Sequence, residues 1–236
     1  MQLLVLAGGF GSRLRSVVSD VPKPLAPING IPFLSLQLDN WTSQGIKEFI
    51  FLLHYEASAI IEFLKIWNNL EANQGIEMRF VIEPTLLGTG GSIANAVQTL
   101  NLTSNFLVTN ADTWIGTGIQ ELAHASVPAI SVVKVSNAAR YGTICFDKAY
   151  RVTNFTEKIE GENSGWINAG LSVLNPEIFA SWDGEEYSLE ADYFPSLVEK
   201  NYLIAVPLVD NFIDIGIPED YHRFCKWVVG GRNGSL

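Results

Sequence analysis

Short apolar runs alternate with segments of helical periodicity through the first 135 residues. The apolar runs predict five buried strands, at Leu3–Leu6, Glu48–Leu53, Glu77–Ile82, 106–109 and Ala129–Val135. Apolar residues recur three and four positions apart between these runs, which predicts helices over 32–45, 58–70 and 91–100. Such alternation is typical of right-handed βαβ units around a mainly parallel sheet. Ligands of such folds bind beyond the carboxyl ends of the strands.

The second half of the chain has shorter strand-like segments joined by polar turns. The predicted strands are 141–146, 152–157, 166–174 and 212–215, and the predicted helices are 176–182, 194–200 and Pro218–Val229. Because no linker or change of composition separates the halves, we expect one domain over residues 1–229, followed by a disordered tail over 230–236. The fold class that follows is α/β, with a Rossmann-like, mainly parallel mixed sheet flanked by helices.

The first strand enters a glycine-rich turn, 8–11, that is followed at once by positive charge. Arg13 and Arg15 come directly after the turn, and Lys23 stands between two prolines. Glycines let backbone N–H groups approach an anion closely, and arginine and lysine supply charge for phosphate oxygens. The segment therefore predicts a nucleoside triphosphate site. The alternative is a tight turn between a strand and a helix whose cations are solvated.

This turn fits neither of two common nucleotide motifs. The chain has no Walker A string, and Leu14 stands where a dinucleotide fingerprint needs its third glycine. What remains is Leu-Ala-Gly-Gly-x-Gly-x-Arg-Leu, followed by Pro-Lys-Pro-Leu-x-Pro. This two-part signature resembles that of the sugar-1-phosphate nucleotidyltransferases, and the resemblance covers nearly the whole chain. Within that family, residues 13–28 are most similar to D-glycero-D-manno-heptose 1-phosphate guanylyltransferases. The resemblance implies a fold of the nucleotide-diphospho-sugar transferase type.

Composition narrows the possible partners and the compartment. A net charge of −10 argues against a nucleic acid partner. An acidic enzyme with anionic substrates must concentrate its positive charge at the binding site, and three of the basic residues lie between positions 13 and 23. Cys145 and Cys225 match no metal spacing and indicate free thiols in a reducing compartment. No signal peptide or membrane-length apolar run is present. We therefore expect a cytoplasmic enzyme without a membrane partner.

A second glycine-rich block, 83–92, joins a strand end to a helix start. Its glycines predict close approach to a base and ribose, and the helix N-terminus adds partial positive charge. A carboxylate at Glu83 accepts both N–H donors of guanine, which favours GTP over UTP or dTTP; the alternative is a surface carboxylate beside a proline turn. Residues 1–135 form the nucleotide-binding region of this prediction. Its predicted nucleotide-binding residues are Leu6, Ala7, Gly8, Gly9, Gly11, Ser12, Arg13, Glu83, Gly88 and Thr89.

Two aspartates are the candidate metal ligands. Asp112 follows an apolar strand, where a carboxylate is placed to bind Mg²⁺, and the resemblance implies that Asp214 holds the same ion. The family usually has glycine before the first aspartate, where this chain has Ala111. It usually has threonine where this chain has Ile217. The alternatives are an aspartate that caps a turn and a helix that simply starts at Pro218.

The resemblance also implies a sugar-phosphate-binding region over residues 136–229. In the family pattern, Glu157 accepts hydrogen bonds from sugar hydroxyls and Lys158 holds the sugar phosphate. The predicted sugar-phosphate-binding residues are Tyr141, Gly142, Glu157, Lys158, Asn168 and Gly170. Glu190 is either a further sugar contact or a helix cap. The three histidines share no catalytic or metal spacing, and no role is predicted for them.

The predicted reaction is an in-line displacement in which a sugar 1-phosphate oxygen attacks the α-phosphorus and pyrophosphate leaves. The predicted catalytic residues are Arg13, which neutralises the pyrophosphate, and Lys23, which bridges the α-phosphate and the incoming phosphate. Three alternatives stay open: a mannose-1-phosphate guanylyltransferase, a uridylyltransferase, and a regulatory subunit that binds nucleotide sugar without turnover. The sequence does not give the oligomeric state, and a homodimer is the commonest expectation for a soluble enzyme.

Overall fold

A nine-stranded mixed sheet forms the centre of the computed structural model, which describes residues 1–156, 164–209 and 211–232. The strands are β1 (Leu3–Leu6), β2 (Pro27–Ile28), β3 (Ile31–Pro32), β4 (Glu48–Leu53), β5 (Glu77–Ile82), β6 (Phe106–Asn110), β7 (Thr113–Ile115), β8 (Ala129–Val135), β9 (Thr143–Phe146), β10 (Val152–Thr156), β11 (Gly165–Leu174), β12 (Ile204–Leu208) and β13 (Phe212–Asp214). The helices are α1 (Phe33–Ser43), α2 (Ala57–Asn68), α3 (Gly88–Leu100), α4 (Ile119–Ala123), α5 (Phe194–Glu199) and α6 (Pro218–Val229). Within the described residues, no helix is both long enough and apolar enough to cross a membrane.

The direction of chain growth across the sheet reverses at β1. Strands β5, β4, β1 and β6 are neighbours in that order, and all of them are parallel. Leu6, the last residue of β1, is level with Leu52 of β4 and with Asn110 of β6. The carboxyl ends of β1 and β6 therefore lie side by side at a topological switch point, where open α/β sheets form their ligand crevice.

The long strand β11 joins the two halves of the chain into one sheet. It pairs antiparallel with β6, β8 and β9, and its register shifts between Asn168 and Ser172. Gly170, inside this irregular stretch, has a φ of 80°, which glycine adopts at little cost. Edge strand β12 runs parallel to β8, and β10 pairs with β9. The predicted α/β fold with a mixed sheet is confirmed.

The central strands alternate their side chains between two hydrophobic cores. Leu3 and Val5 point to the core that also holds α1 and α2, whereas Leu4 points to the core beneath α3. A sheet covered on both faces needs apolar residues at every position. This is why the strands of the first half read as continuous apolar runs in the sequence.

A small two-stranded sheet lies beside the main sheet. It pairs β7 with β13 antiparallel, so that Asp214 is level with Thr113. A third core of buried aromatic and aliphatic side chains, including Phe33, Trp114 and Phe224, packs α1 and α6 around it. The pairing brings residues that are far apart in the sequence to the carboxyl end of β6.

The strands predicted in the first half are confirmed, with 106–109 extended by one residue. In the second half, the structure corrects several boundaries. Strand 141–146 begins at Thr143, and helix 176–182 is only a 3₁₀ turn over Pro176–Phe179. Strand 152–157 is described to residue 156, and residues 233–236 of the predicted tail lie outside the described residues.

Five elements were not predicted: β2, β3, β7, β12 and α4. All five span only two to five residues, which is too short to establish a hydrophobic period. One of them, β12, also contains Pro207, which argues against a central strand. Its only strand partner among the described residues is β8, so the proline is accommodated at the edge of the sheet.

Phe51→Ala should destabilise the fold strongly. Its ring is fully buried in β4 and lies between Phe49 and Phe80, with centroid distances of 6.0 and 6.1 Å. Loss of such a side chain leaves a cavity and should lower the free energy of unfolding by about 3–5 kcal/mol, as measured by urea denaturation. Ile66→Ala on α2, where the side chain is 62% exposed, is the control and should stay within about 0.5 kcal/mol. Equal losses of unfolding free energy in the two variants would contradict the placement of Phe51 in the core.

Candidate active site

Three adjoining cavities open at the carboxyl ends of β1 and β6. The glycine-loop cavity, of about 190 Å³, is lined by Leu6, Ala7, Gly9, Gly11, Ser12, Arg13, Lys23, Pro24, Ala111, Asp112 and Gly216. The loop-83 cavity, of about 380 Å³, is lined by Leu6, Gly8, Gly9, Glu83, Leu86, Gly88, Thr89, Ser92, Asn110, Asp112, Thr113 and Asp214. The tyrosine cavity, of about 500 Å³, is lined by Arg13, Asn110, Thr113, Arg140, Tyr141, Gly142, Phe155, Asn168, Ala169, Gly170, Glu190, Phe212 and Asp214.

Every predicted site residue that the structure describes lines at least one of these cavities. The other two, Glu157 and Lys158, lie outside the described residues. Seven residues each line two of the cavities and mark where the cavities meet, and three of the seven are charged. Arg13 borders the glycine-loop and tyrosine cavities, Asp112 borders the glycine-loop and loop-83 cavities, and Asp214 borders the loop-83 and tyrosine cavities.

Two of the three glycines considered in the turn after β1 are required by contacts within the protein itself. Gly11 has a φ of 61°, and a Cβ there would lie 2.8 Å from the Cβ of Lys23. A Cβ on Gly8 would lie 3.2 Å from the Cβ of His54. Gly9 differs, because no heavy atom of the described residues would lie within 4 Å of its Cβ. Of these three glycines, Gly9 therefore leaves backbone open toward the cavity.

The ammonium group of Lys23 lies between two carboxylates. Its Nζ is 2.5 Å from Asp112 Oδ2 and 3.3 Å from Asp214 Oδ1, and its side chain is only 10% exposed. The N–H of Gly216 donates to Asp214 Oδ1 at 2.7 Å. A Cβ on Gly216 would lie 2.8 Å from both Asp214 Oδ1 and Lys23 Nζ. Glycine at this position therefore makes room for the lysine and its two partners.

The donor set of Asp112 and Asp214 fits a hard divalent cation. Their side chains are 35% and 22% exposed at the junction of the cavities. Among the residues that the structure describes, no group of three or more His, Cys, Asp or Glu side chains could hold a metal ion. Mg²⁺ is typically bound by one or two carboxylates together with substrate phosphates and waters. Two converging aspartates beside the glycine-loop cavity match that arrangement.

Glu83 is buried, so the expected alternative of a surface carboxylate is wrong. It is 4% exposed, and its oxygens accept hydrogen bonds from the Ser92 hydroxyl and, at 3.2 Å, from the N–H of Leu87. Burial raises the pKa of this carboxyl, and the hydrogen bond from Ser92 only partly offsets the effect. The ring of His54 is 2.9 Å from the Glu83 carbonyl oxygen. Glu83 thus holds the loop-83 segment together, and its contact with guanine stays a prediction.

The glycines after Leu87 make room for another region of the protein. A Cβ on Gly88 would overlap the carbonyl of Tyr187, and one on Gly90 would overlap the ring of the same tyrosine. The N–H groups of Gly90 and Gly91 donate to that carbonyl oxygen at 3.0 and 3.3 Å. Two N–H groups in the first turn of α3 are therefore engaged within the protein. That the N-terminus of α3 offers partial positive charge to a ligand stays a prediction.

Aromatic side chains line one side of the tyrosine cavity. Tyr141 packs edge-on against Phe212 at a centroid distance of 5.4 Å, and burial raises its pKa to about 12. Asn168 Oδ1 accepts a hydrogen bond from the N–H of Gly170 at 3.0 Å. A Cβ on Gly170 would lie 2.9 Å from the Asn110 side chain. These contacts hold neutral hydrogen-bonding groups at fixed positions along the wall.

Arg140 is a cavity residue that sequence reasoning missed. Its guanidinium lies 5.4 Å from the centroid of the Tyr141 ring and donates to Asp220, a buried residue in the first turn of α6. Asp220 also pairs with Arg223 at 3.2 Å. The only local signal for a site role of Arg140 was its position directly before the Tyr-Gly pair. Nothing in the sequence links position 140 to position 220.

Comparison with known proteins shows the family to which the chain belongs. The family described as nucleotidyl transferase matches residues 2–228. The chain is 35% identical over 231 residues to a D-glycero-alpha-D-manno-heptose 1-phosphate guanylyltransferase of Campylobacter jejuni, and the match covers 95% of this chain and 98% of that protein. It is 32% identical over 229 residues to mannose-1-phosphate guanyltransferase of Saccharomyces cerevisiae, and there it spans 63% of the relative's length and 94% of its own.

Solved structures of similar proteins have the same fold as this chain. HddC from Yersinia pseudotuberculosis complexed with GMP-PN superposes with a TM-score of 0.82 at 33% identity, covering 96% of this chain and 99% of that one. The inositol-1-phosphate CTP transferase from T. maritima has a TM-score of 0.79 at 18% identity and covers 100% of this chain and 97% of its own. At that lower identity, the similarity shows the fold alone.

Gly88→Ala should destabilise the protein even without a ligand. Gly88 has a φ of 70°, and an added methyl group would meet the backbone of Tyr187. Backbone strain and overpacking together should lower the free energy of unfolding by about 1–3 kcal/mol in urea denaturation. Gly9→Ala is the matched control, because its methyl group enters open space, and we expect a change within about 0.5 kcal/mol. A stable Gly88→Ala variant would refute the described packing.

Proposed function

The chain belongs to the nucleotidyl transferase family, and we therefore propose that it joins GTP to D-glycero-D-manno-heptose 1-phosphate and releases pyrophosphate. The observation that carries the proposal is the position of Lys23. Its ammonium contacts Asp112 and Asp214, the two aspartates that border the loop-83 cavity. A cation at this junction is suited to two phosphate-bearing substrates that meet there.

The proposed reaction needs no nucleophile from the protein. An oxygen of the sugar 1-phosphate attacks the α-phosphorus of the nucleotide, and the bond from that phosphorus to the bridging oxygen breaks as pyrophosphate leaves. Catalysis then depends on positioning and on stabilisation of negative charge. Within this scheme, Lys23 bridges the α-phosphate and the incoming phosphate. Arg13, which borders the glycine-loop and tyrosine cavities, neutralises the leaving group.

We propose the glycine-loop cavity for the triphosphate and the loop-83 cavity for the nucleoside. The residues assigned to the nucleotide are those predicted from the sequence: Leu6, Ala7, Gly8, Gly9, Gly11, Ser12, Arg13, Glu83, Gly88 and Thr89. A carboxylate has about four acceptor sites on its two oxygens. Because Ser92 and Leu87 occupy two of those of Glu83, the remaining sites suit the two donors of guanine.

Asp112 and Asp214 would hold Mg²⁺. When bound, the ion neutralises phosphate oxygens and increases the electrophilicity of the phosphorus. In its absence, the two carboxylates are neutralised in part by Lys23. The lysine therefore also limits the repulsion between the aspartates, as an opposite charge within 4 Å does.

The sugar phosphate is assigned to the tyrosine cavity. Tyr141, Gly142, Asn168 and Gly170 line it, and their hydroxyl, amide and backbone groups suit a polyhydroxylated ligand. Glu157 and Lys158 are proposed sugar and phosphate contacts from the family resemblance alone. The proposal of a heptose rests on the relative from Campylobacter jejuni, whose length this chain matches almost completely.

A mannose-1-phosphate guanylyltransferase is the second candidate. Several relatives with that activity in their names are 32–33% identical to the chain, although it spans only 60–63% of their length. A regulatory subunit without turnover is a weaker candidate, because Lys23 and both aspartates are present. The homodimer and the cytoplasmic location remain predictions.

Pyrophosphate release tests the proposed reaction. GTP, ATP, CTP, UTP and dTTP are each combined with the 1-phosphates of the heptose, mannose and glucose, with Mg²⁺ or with excess EDTA. We expect release with GTP and the heptose 1-phosphate, and none in EDTA. Faster release with mannose 1-phosphate would favour the second candidate. No release in any combination, despite a nucleotide-induced rise in melting temperature, would favour the regulatory subunit.

Lys23→Ala should abolish most turnover while the protein stays folded. Removal of one preorganised charge of this kind typically lowers kcat by about 10²–10³-fold, and we expect that loss in the pyrophosphate assay. Lys65→Ala, at an exposed position of α2, is the control and should leave kcat unchanged. The melting temperatures of both variants show whether they are folded. A folded Lys23→Ala variant with wild-type kcat would rule out the catalytic role of Lys23.

A further inference from the structure

A short segment of the second half, 187–190, lies directly against the loop-83 segment. The N–H of Tyr187 donates to the Leu87 carbonyl at 3.1 Å, and the carbonyl of Tyr187 accepts from Gly90 at 3.0 Å. The N–H of Leu189 donates to the Thr89 hydroxyl at 2.9 Å. The two segments are thus joined through both backbone and side chain, and a displacement of one requires a displacement of the other.

At the end of this contact, Glu190 connects two cavities. Its Oε2 accepts hydrogen bonds from the hydroxyls of Thr89, at 2.7 Å, and Ser188, at 3.1 Å. Thr89 lines the loop-83 cavity, whereas Glu190 lines the tyrosine cavity. Both of these hydrogen bonds within the described residues are to Oε2 rather than Oε1. One oxygen is therefore engaged with the nucleotide side while the other can accept from a ligand on the sugar side.

The backbone around Glu190 has an uncommon geometry. Residues Leu189–Tyr193 form a single π-helical turn, and the Ser188 hydroxyl accepts from the N–H groups of Glu190 and Ala191 at 3.2 and 3.1 Å. The Ser188 N–H in turn donates to the Asp192 carboxylate at 2.8 Å. Turns of this type occur frequently at functional sites. Here the turn and its cap fix the backbone from which the Glu190 side chain extends.

We propose that Thr89 and Glu190 are positioning residues that couple the binding of the two substrates. A sugar hydroxyl on Oε1 orders the Glu190 carboxylate in the orientation in which Oε2 accepts from Thr89. The first substrate to bind then orders the Glu190 and Thr89 side chains, so the second substrate binds without a further loss of their conformational entropy. This inference rests on the proposed function, because it needs a nucleotide in the loop-83 cavity and a sugar phosphate in the tyrosine cavity.

Coupling of this kind is reciprocal. If the sugar phosphate increases the affinity for nucleotide by some factor, nucleotide increases the affinity for the sugar phosphate by the same factor. The quantity to measure is therefore the ratio of nucleotide Kd without and with sugar phosphate. A GTP analogue with a methylene group between the α- and β-phosphates permits the measurement by calorimetry without turnover.

In the wild-type protein with Mg²⁺, saturating heptose 1-phosphate should lower the Kd of the analogue about 5-fold or more, within the usual range of such couplings. Thr89→Val removes the hydroxyl and should bring the ratio close to one. Thr89→Ser retains the hydroxyl and should retain the ratio. Glu190→Gln offers one acceptor oxygen where the carboxylate has two, so it should also lower the ratio. It provides an independent variant if Thr89→Val does not fold.

Three results would overturn the inference. One is a wild-type ratio of one, a second is a wild-type ratio in both Thr89→Val and Glu190→Gln, and the third is a Thr89→Ser variant that behaves like Thr89→Val. The pyrophosphate assay on the wild-type protein separates these failures from failure of the proposed function. If pyrophosphate is released while the ratio is one, only the coupling is wrong. If neither release nor binding of the analogue is seen, both proposals are wrong.

Discussion

The electrostatic balance among Lys23, Asp112 and Asp214 is the constraint on which the rest of the site depends. Two carboxylates that converge at one point repel each other unless a cation lies between them, and the mostly buried ammonium of Lys23 does so at 2.5 and 3.3 Å. Its surroundings accommodate that arrangement. Gly11 and Gly216 leave space where any larger residue would press on the lysine or on Asp214, and the pairing of β7 with β13 brings Asp214 to the end of β6.

The strand order of the sheet explains why the three cavities meet where they do. The reversal of strand order at β1 creates the crevice, and Asp112, which follows β6, lines two of the cavities there. The antiparallel passage of β11 beside β6 then adds the wall that carries Asn168 and Gly170. Neither half of the chain encloses the site alone. The hydrogen bonds between Leu87 and Tyr187 and between Thr89 and Glu190 join the halves across it.

The first half of the fold could be predicted because its physical causes are local. Strands buried on both faces are continuous apolar runs, and a glycine turn with nearby cations is typical of a phosphate site. The two-part signature then identified the family, and with it most of the residues that line the cavities. The metal role of Asp214 depended on that resemblance, because β7, the partner of β13, has only three residues and was not predicted.

What could not be predicted depends on contacts between distant regions of the chain. The glycines at 88 and 90 predicted the close approach of a base, and nothing in the sequence indicated that the segment around Tyr187 packs against both of them. The pairing of Arg140 with Asp220 spans 80 residues, and neither residue belongs to a local motif that points to the other. His54 offered no catalytic spacing, yet its ring contacts the carbonyl of Glu83.

The long distances in sequence between contacting residues also determine the order in which the residues of the site are synthesised. Lys23 and Asp214 are 191 residues apart, so at about 5–20 residues per second the ribosome needs roughly 10–40 s between them. A nascent chain therefore carries its glycine loop and first aspartate for many seconds before the second aspartate exists, and the complete site cannot form until Asp214 has been synthesised.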